Sequence, residues 1–101
     1  MRILLAQGHS AEAKTTMAVL ASVGGVVDFA RSGREALEFL QSYEYDIIVL
    51  DRSLADGEGS DALRRFRNQG FSTPVLMLAD YNSGKTRANA LRAGEIGRAH
   101  V

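Results

Sequence analysis

The chain alternates short runs of consecutive apolar residues with longer stretches of helical spacing. Ile3-Leu4-Leu5-Ala6 is apolar throughout and stops at Gln7-Gly8. A run this short fits a strand covered on both faces. Ser10 is placed to cap a helix over 11–23, with Ala13, Met17, Leu20 and Ala21 on one side and Gly24-Gly25 as its stop. Val26-Val27-Asp28-Phe29-Ala30 reads as a second strand. Ser32-Gly33-Arg34-Glu35 has the spacing of a capping box, Ser32 as N-cap and Glu35 reaching back, and Ala36, Leu37 and Leu40 continue it as a helical stripe. Tyr45-Asp46 leads into Ile47-Ile48-Val49-Leu50, which is uncharged, rich in β-branched residues and ends abruptly at Asp51. Arg52 to Gly59 reads as a loop in which Gly57 and Gly59 supply turn freedom. Ser60 opens a third helix, with Ala62, Leu63 and Phe66 inward and Arg64, Arg65 and Arg67 mostly outward on a solvated face. Thr73-Pro74 breaks it, and Val75-Leu76-Met77-Leu78 is a fourth strand. Asn82 or Ser83 caps a last helix through Ala88, Leu91 and Arg92, ended by Gly94.

The order is therefore βαβαβαβα. Such alternation with short connections calls for a parallel sheet between two helical layers, a doubly wound α/β domain. Right-handed crossovers leave few ways to wind it. Sites in these sheets form beyond the carboxyl ends of the strands. Those ends are Gln7-Gly8-His9, Asp51-Arg52-Ser53 and Ala79-Asp80-Tyr81.

Composition narrows the possibilities. At 101 residues the chain holds one small domain. A formal net charge of zero gives no global attraction to nucleic acid or acidic lipid, so DNA binding by this chain alone is not expected. The absence of cysteine excludes disulfides, thiolate metal sites and a cysteine nucleophile, and fits a reducing compartment. No apolar run approaches the roughly 20 residues of a membrane helix, and MRILLA is too short for a signal-peptide core. The expected setting is cytoplasmic.

The segment YDIIVLDRSLADGEGSDALRRFR, Tyr45 to Arg67, resembles receiver domains of two-component response regulators. TPVLML, Thr73 to Leu78, is similar to that family's fourth strand, and ALRAG, Ala90 to Gly94, to the segment leading into its fifth. The resemblance runs over residues 1–94, and the MRILL opening is most similar to winged-helix transcriptional regulators. It implies a flavodoxin-like fold, a three-layer αβα sandwich lacking its last strand and helix. It also implies a regulatory module of phosphorelay signal transduction, not an enzyme, and assigns no catalytic residue. Asp51 is the implied phosphoacceptor, with a histidine kinase or other signalling protein as partner. Mg²⁺ is the implied cation, held by Asp51 and by the backbone carbonyl of Ser53. An acyl phosphate forms when such a carboxylate attacks a phosphoryl group, and the cation relieves their repulsion.

Several positions depart from the family's pattern. Gln7, Gly8 and His9 stand where acidic cation ligands are expected, and imidazole suits transition metals better than Mg²⁺. Ala79 stands where a Thr or Ser hydroxyl binds phosphoryl oxygen, and Asp80 beside it reads as a solvated loop acid that would, if anything, repel phosphate. Ala55 replaces a common proline, which predicts a less fixed loop. Arg52 and Lys85 are candidate substitutes for the missing groups, although solvated charges are the plainer reading of both. Mg²⁺ is expected to bind weakly.

The family continues beyond Gly94 with a fifth strand carrying a lysine and a switch aromatic, then a fifth helix. Here residues 95–101 read EIGRAHV, which with suitable codons back-translates into a widely used sequencing adapter. The expectation is a non-native tail after a truncated gene, the alternative being a genuine disordered terminus. The functional expectation is a receiver-like module, the N-terminal part of a DNA-binding response regulator, with a degenerate site and action independent of phosphate. DNA then enters only through an output domain absent from the chain, and a homodimer belongs to the full-length parent. One alternative is a conventional receiver phosphorylated on Asp51. Another is a flavodoxin-like flavin or nucleotide binder, against which stands the lack of a Gly-rich phosphate loop.

Overall fold

The four apolar runs become one parallel sheet in the computed structural model, which describes residues 1–78. Its strands are β1 (Arg2–Ala6), β2 (Val26–Ala30), β3 (Ile47–Asp51) and β6 (Val75–Leu78), in the order β2-β1-β3-β6. Helices α1 (Ser10–Ser22), α2 (Gly33–Ser42) and α3 (Gly59–Asn68) make the crossovers. Between β3 and α3 lies a short antiparallel hairpin, β4 (Ser53–Leu54) with β5 (Gly57–Glu58). This is the doubly wound sheet expected from the alternation, in the flavodoxin-like order that the resemblance implied. The stretch 52–59 differs from expectation, because it carries the hairpin.

Two apolar cores separate along the strands with period two. Leu4, Ala6, Ile48, Leu50 and Val75 face a core shared with Leu40 of α2 and Phe66 of α3. Ile3, Leu5 and Val49 face the other side, with Ala13, Met17 and Leu20 of α1. The chain moves from β1 outward to β2 through α1, then back across the sheet through α2 and α3. Right-handed crossovers in opposite directions put their helices on opposite faces, which explains the division.

Helix starts depart from the sequence reading. His9, not Ser10, is the N-cap of α1, and it makes no side-chain cap bond. Ala21 is exposed and not part of the buried stripe. Glu58 caps α3, which begins one residue before Ser60. Ser32 caps α2 as expected, its Oγ accepting the Glu35 amide at 3.0 Å. Glu35 does not reach back, and a carboxylate from elsewhere takes the neighbouring amides. The Asn82 or Ser83 helix, Gly94 and the tail lie outside the described residues.

The amino ends of the strands are tied by a polar cluster. The Tyr45 hydroxyl donates to Asp28 Oδ2 at 2.6 Å, and the Arg2 guanidinium pairs with the same oxygen at 3.3 Å. The Arg2 amide donates to Asp46 Oδ2 at 2.7 Å. The guanidinium also lies 4.7 Å from the Tyr43 ring centroid and 5.4 Å from that of Tyr45, where ring quadrupoles attract a cation. Burial, then the hydrogen bond and charge of Asp28, push the Tyr45 phenol well above its usual range.

Candidate site around Asp51

Asp51 is the last residue of β3 and is half-buried. Its Oδ1 accepts the amide of Arg52 at 2.7 Å. The register pairs Ala6 with Leu50, so the next residues, Gln7 and Asp51, come abreast at the carboxyl ends of adjacent strands. Asp51 itself pairs with Leu78 of β6. The topology thus brings the first two predicted strand ends together. Ala79, Asp80 and Lys85 lie outside the described residues.

The three residues after β1 take different roles. Gln7 donates its amide to the Ala30 carbonyl at 3.0 Å, and the residue is only 5% exposed. Its side-chain Oε1 is buried without a hydrogen-bond partner among the described residues. An orphaned buried carbonyl is costly. Gly8 donates its amide to the Ser53 carbonyl at 3.1 Å. A Cβ at Gly8 would meet that carbonyl oxygen at 3.0 Å and the Leu54 carbonyl carbon at 3.1 Å. The backbone of β4 has closed against position 8, leaving no space for a side chain without a shift. His9 is exposed, and its carbonyl accepts the Ala13 amide at 3.0 Å as α1 begins.

The segment after Asp51 is held at several points. The Arg52 carbonyl accepts the Gly59 amide at 2.8 Å. A Cβ at Gly59 would collide with the Asp51 carbonyl oxygen, so glycine is needed there for space, not for turn freedom. Leu54 is 8% exposed and joins the core under α2 and α3. Ala55 donates its amide to the Arg31 carbonyl at 2.9 Å. Proline has no such donor, so the alanine adds a tether, and the expectation of a looser loop is reversed at this bond. Asp56 then receives the first amides of α2, Gly33 on Oδ1 at 2.8 Å and Arg34 on Oδ2 at 3.1 Å. The Gly33 amide holds the Asp56 carboxyl below its usual range, against the opposing effect of burial, with Arg34 and the charge of Arg65 adding to the lowering.

Asp56 is not among the candidate residues that the sequence suggests. The only local sign was an acidic residue beside Gly57 in a turn. Arg64 and Arg65 are exposed as expected of a solvated face, and Arg67 is half-buried. Arg64 pairs with Asp61 at 3.2 Å, Arg65 sits beside Gly33 and Asp56, and Arg67 donates to the Phe71 carbonyl at 2.9 Å. They do not form one free basic face.

A divalent cation does not suit these residues as they stand. Mg²⁺ takes oxygen donors in a near-ideal octahedron, keeping several waters and binding through one or two carboxylates, of which Asp51 supplies one here. Gly8 brings no donor side chain, Gln7 brings a neutral one, and the Ser53 carbonyl already accepts the Gly8 amide. No group of three His, Cys, Asp or Glu side chains converges among the described residues.

The profile of the response regulator receiver domain matches residues 3–97. The cell cycle transcriptional regulator CtrA of Caulobacter vibrioides is 34% identical over 94 residues, covering 93% of this chain and 41% of that protein. The transcriptional regulatory protein QseB of Escherichia coli O157:H7 is 35% identical, covering 93% of this chain and 43% of its own length. The chain thus spans well under half the length of these curated relatives. Among solved structures, the receiver domain of the Francisella response regulator 1452 superposes with a TM-score of 0.76 at 25% identity, covering 96% of this chain and 79% of that one. A two-component response regulator from Clostridium difficile gives 0.73 at 28% identity, covering 93% and 77%. Receivers of this kind are signalling modules that interact with histidine kinases. No helix among the described residues is long and apolar enough to cross a membrane. With the doubly wound sheet, Asp51 at the end of β3 and a match over nearly the whole chain, this protein belongs to the response regulator receiver family.

Proposed function

We propose that this chain is a receiver module that works through protein contacts without phosphoryl transfer to Asp51. Gly8 is the observation that carries this reading. The family's pattern puts an acidic residue there, whereas here glycine brings no carboxylate and a Cβ would press on the backbone of Ser53 and Leu54, which must give for it. Mg²⁺ binding is correspondingly weak, and the chain performs no catalysis of its own. Its setting is cytoplasmic, and its partner is a histidine kinase or another signalling protein. DNA is reached through an output domain elsewhere in a longer parent, which also provides any homodimer contact.

A second reading rests on Asp51 itself. The half-exposed carboxylate has one oxygen on the Arg52 amide, and its other oxygen accepts no hydrogen bond among the described residues. A free carboxylate oxygen at a strand's carboxyl end is placed as a nucleophile. Intact mass after incubation with acetyl phosphate and Mg²⁺ separates the two readings, with Asp51→Asn as control and circular dichroism confirming the fold. No mass gain is expected. One phosphoryl mass gained by the folded wild-type chain, and not by the control, overturns the proposal.

A further inference from the structure

The hairpin after Asp51 is bound to two different strand–helix junctions. On one side the Ser53 carbonyl accepts the Gly8 amide, at the junction of β1 and α1. On the other, Ala55 donates to the Arg31 carbonyl, and the Asp56 carboxylate takes the amides of Gly33 and Arg34 at the junction of β2 and α2. Leu54 lies between them with its side chain in the core. Two residues separate Ser53 from Asp56, and both are themselves held. The Asp56 carboxylate and the Ser53 carbonyl are thus the two ends of one short anchored segment.

The clasp is also favourable electrostatically. The start of a helix presents unpaired amides and the positive end of its dipole. A carboxylate accepting two of those amides makes charge-assisted bonds, stronger than neutral ones. Arg65 of α3 stands beside the same carboxylate. The charge that holds the hairpin is thus built into the chain, with no bound anion or cation required.

We propose that Asp56 is a positioning residue that clasps the hairpin to α2 and thereby sets the contact between Ser53 and Gly8 beside Asp51. The clasp gives the Asp51 loop one resting position, which deepens, and as regulation rests on, the phosphate-independent reading above.

Amide hydrogen exchange by NMR on the full chain, unphosphorylated, tests it with wild type, Asp56→Ala and Asp56→Asn. Losing the carboxylate is expected to speed exchange at Gly33 and Arg34 by about tenfold, on the scale of a charged hydrogen bond. The discriminating amides are Gly8 and Ala55, neither of which donates to Asp56, and Gly8 decides because Ala55 adjoins Asp56 in the chain. They are expected to speed up in the same variants, while Leu5 and Val49 in the central strands keep their rates. Asp56→Asn retains an acceptor oxygen without the charge and is expected to fall between. If Asp56→Ala does not fold, the Asn variant carries the same comparison. Wild-type rates at Gly8 and Ala55, with Gly33 and Arg34 accelerated, reduce Asp56 to a helix cap and overturn the proposal. Phosphoryl uptake in the separate mass experiment defeats the phosphate-independent reading, while these four amides still decide the clasp.

Discussion

The Gly33 amide donates to Asp56 Oδ1 at 2.8 Å across 23 residues of chain, so the first turn of α2 is capped from the loop that follows β3. Ser32 remains the N-cap residue, and loss of a side-chain acceptor for helix-start amides costs about 1 kcal/mol, within a range of roughly 0.5–2. Asp56 is exposed, which favours the lower half of that range. Asp56→Ala is expected to lower the urea midpoint accordingly. Because the folded carboxyl titrates below its usual range, its contribution is fully present above the unfolded pKa of about 3.9 and fades as pH falls through the lower folded value. The stability gap between wild type and Asp56→Ala is therefore expected to close in acid. A gap that is constant from neutral pH into strong acid contradicts the charged clasp.

Gly8→Asp restores an acidic residue but forces it against Ser53 and Leu54. Overpacking of this kind costs about 1–3 kcal/mol. The variant is expected to melt earlier than wild type and, on its own, to gain no phosphoryl mass from acetyl phosphate. Unchanged stability would mean that β4 moves aside freely.

Gln7→Leu removes a buried carbonyl that has no partner among the described residues. Replacing such a group by an apolar one of similar size is expected to stabilise the chain by about 1 kcal/mol. Chemical denaturation reads this directly. A loss of stability would show that the Gln7 oxygen is bonded in solution.

Tyr45→Phe deletes the hydroxyl that donates to Asp28 at 2.6 Å and leaves that carboxylate to Arg2. The expected cost is about 1–2 kcal/mol at neutral pH. The raised Tyr45 pKa means that this contribution is intact below the unfolded value of about 10 and is lost as pH rises toward the folded one. Wild type is expected to lose more stability than Tyr45→Phe above pH 10. Parallel alkaline profiles would place the phenol outside the network.

The sheet was legible because its signals are local. Ile47 to Leu50 is short, apolar and abruptly ended, and alternation with helical stripes dictates parallel pairing. Asp51 followed from its place at that end and from the segment around it. Gln7 came abreast of it through topology alone. What escaped the sequence depends on distant partners. Nothing near Asp56 signals that it caps a helix begun 23 residues earlier. The tightness at Gly8 arises only once β4 lies against it. Ala55 was read for the proline it lacks, while its amide, which every residue but proline carries, proved the informative group. Ser10 has the right chemistry for a cap, yet the chain turns one residue sooner, at His9.

The cluster at the amino ends of the strands has a practical consequence for attaching probes. Met1 accepts the Val26 amide through its carbonyl, and Arg2 is bonded through both its amide and its carbonyl to Asp46. A fusion or immobilising tether placed ahead of Met1 therefore emerges beside Tyr43 and Tyr45, at the opposite end of the strands from Asp51. Surface-capture measurements made that way leave the Asp51 end facing solution, whereas tethers on the exposed Asp56 hairpin pull on the very elements under study.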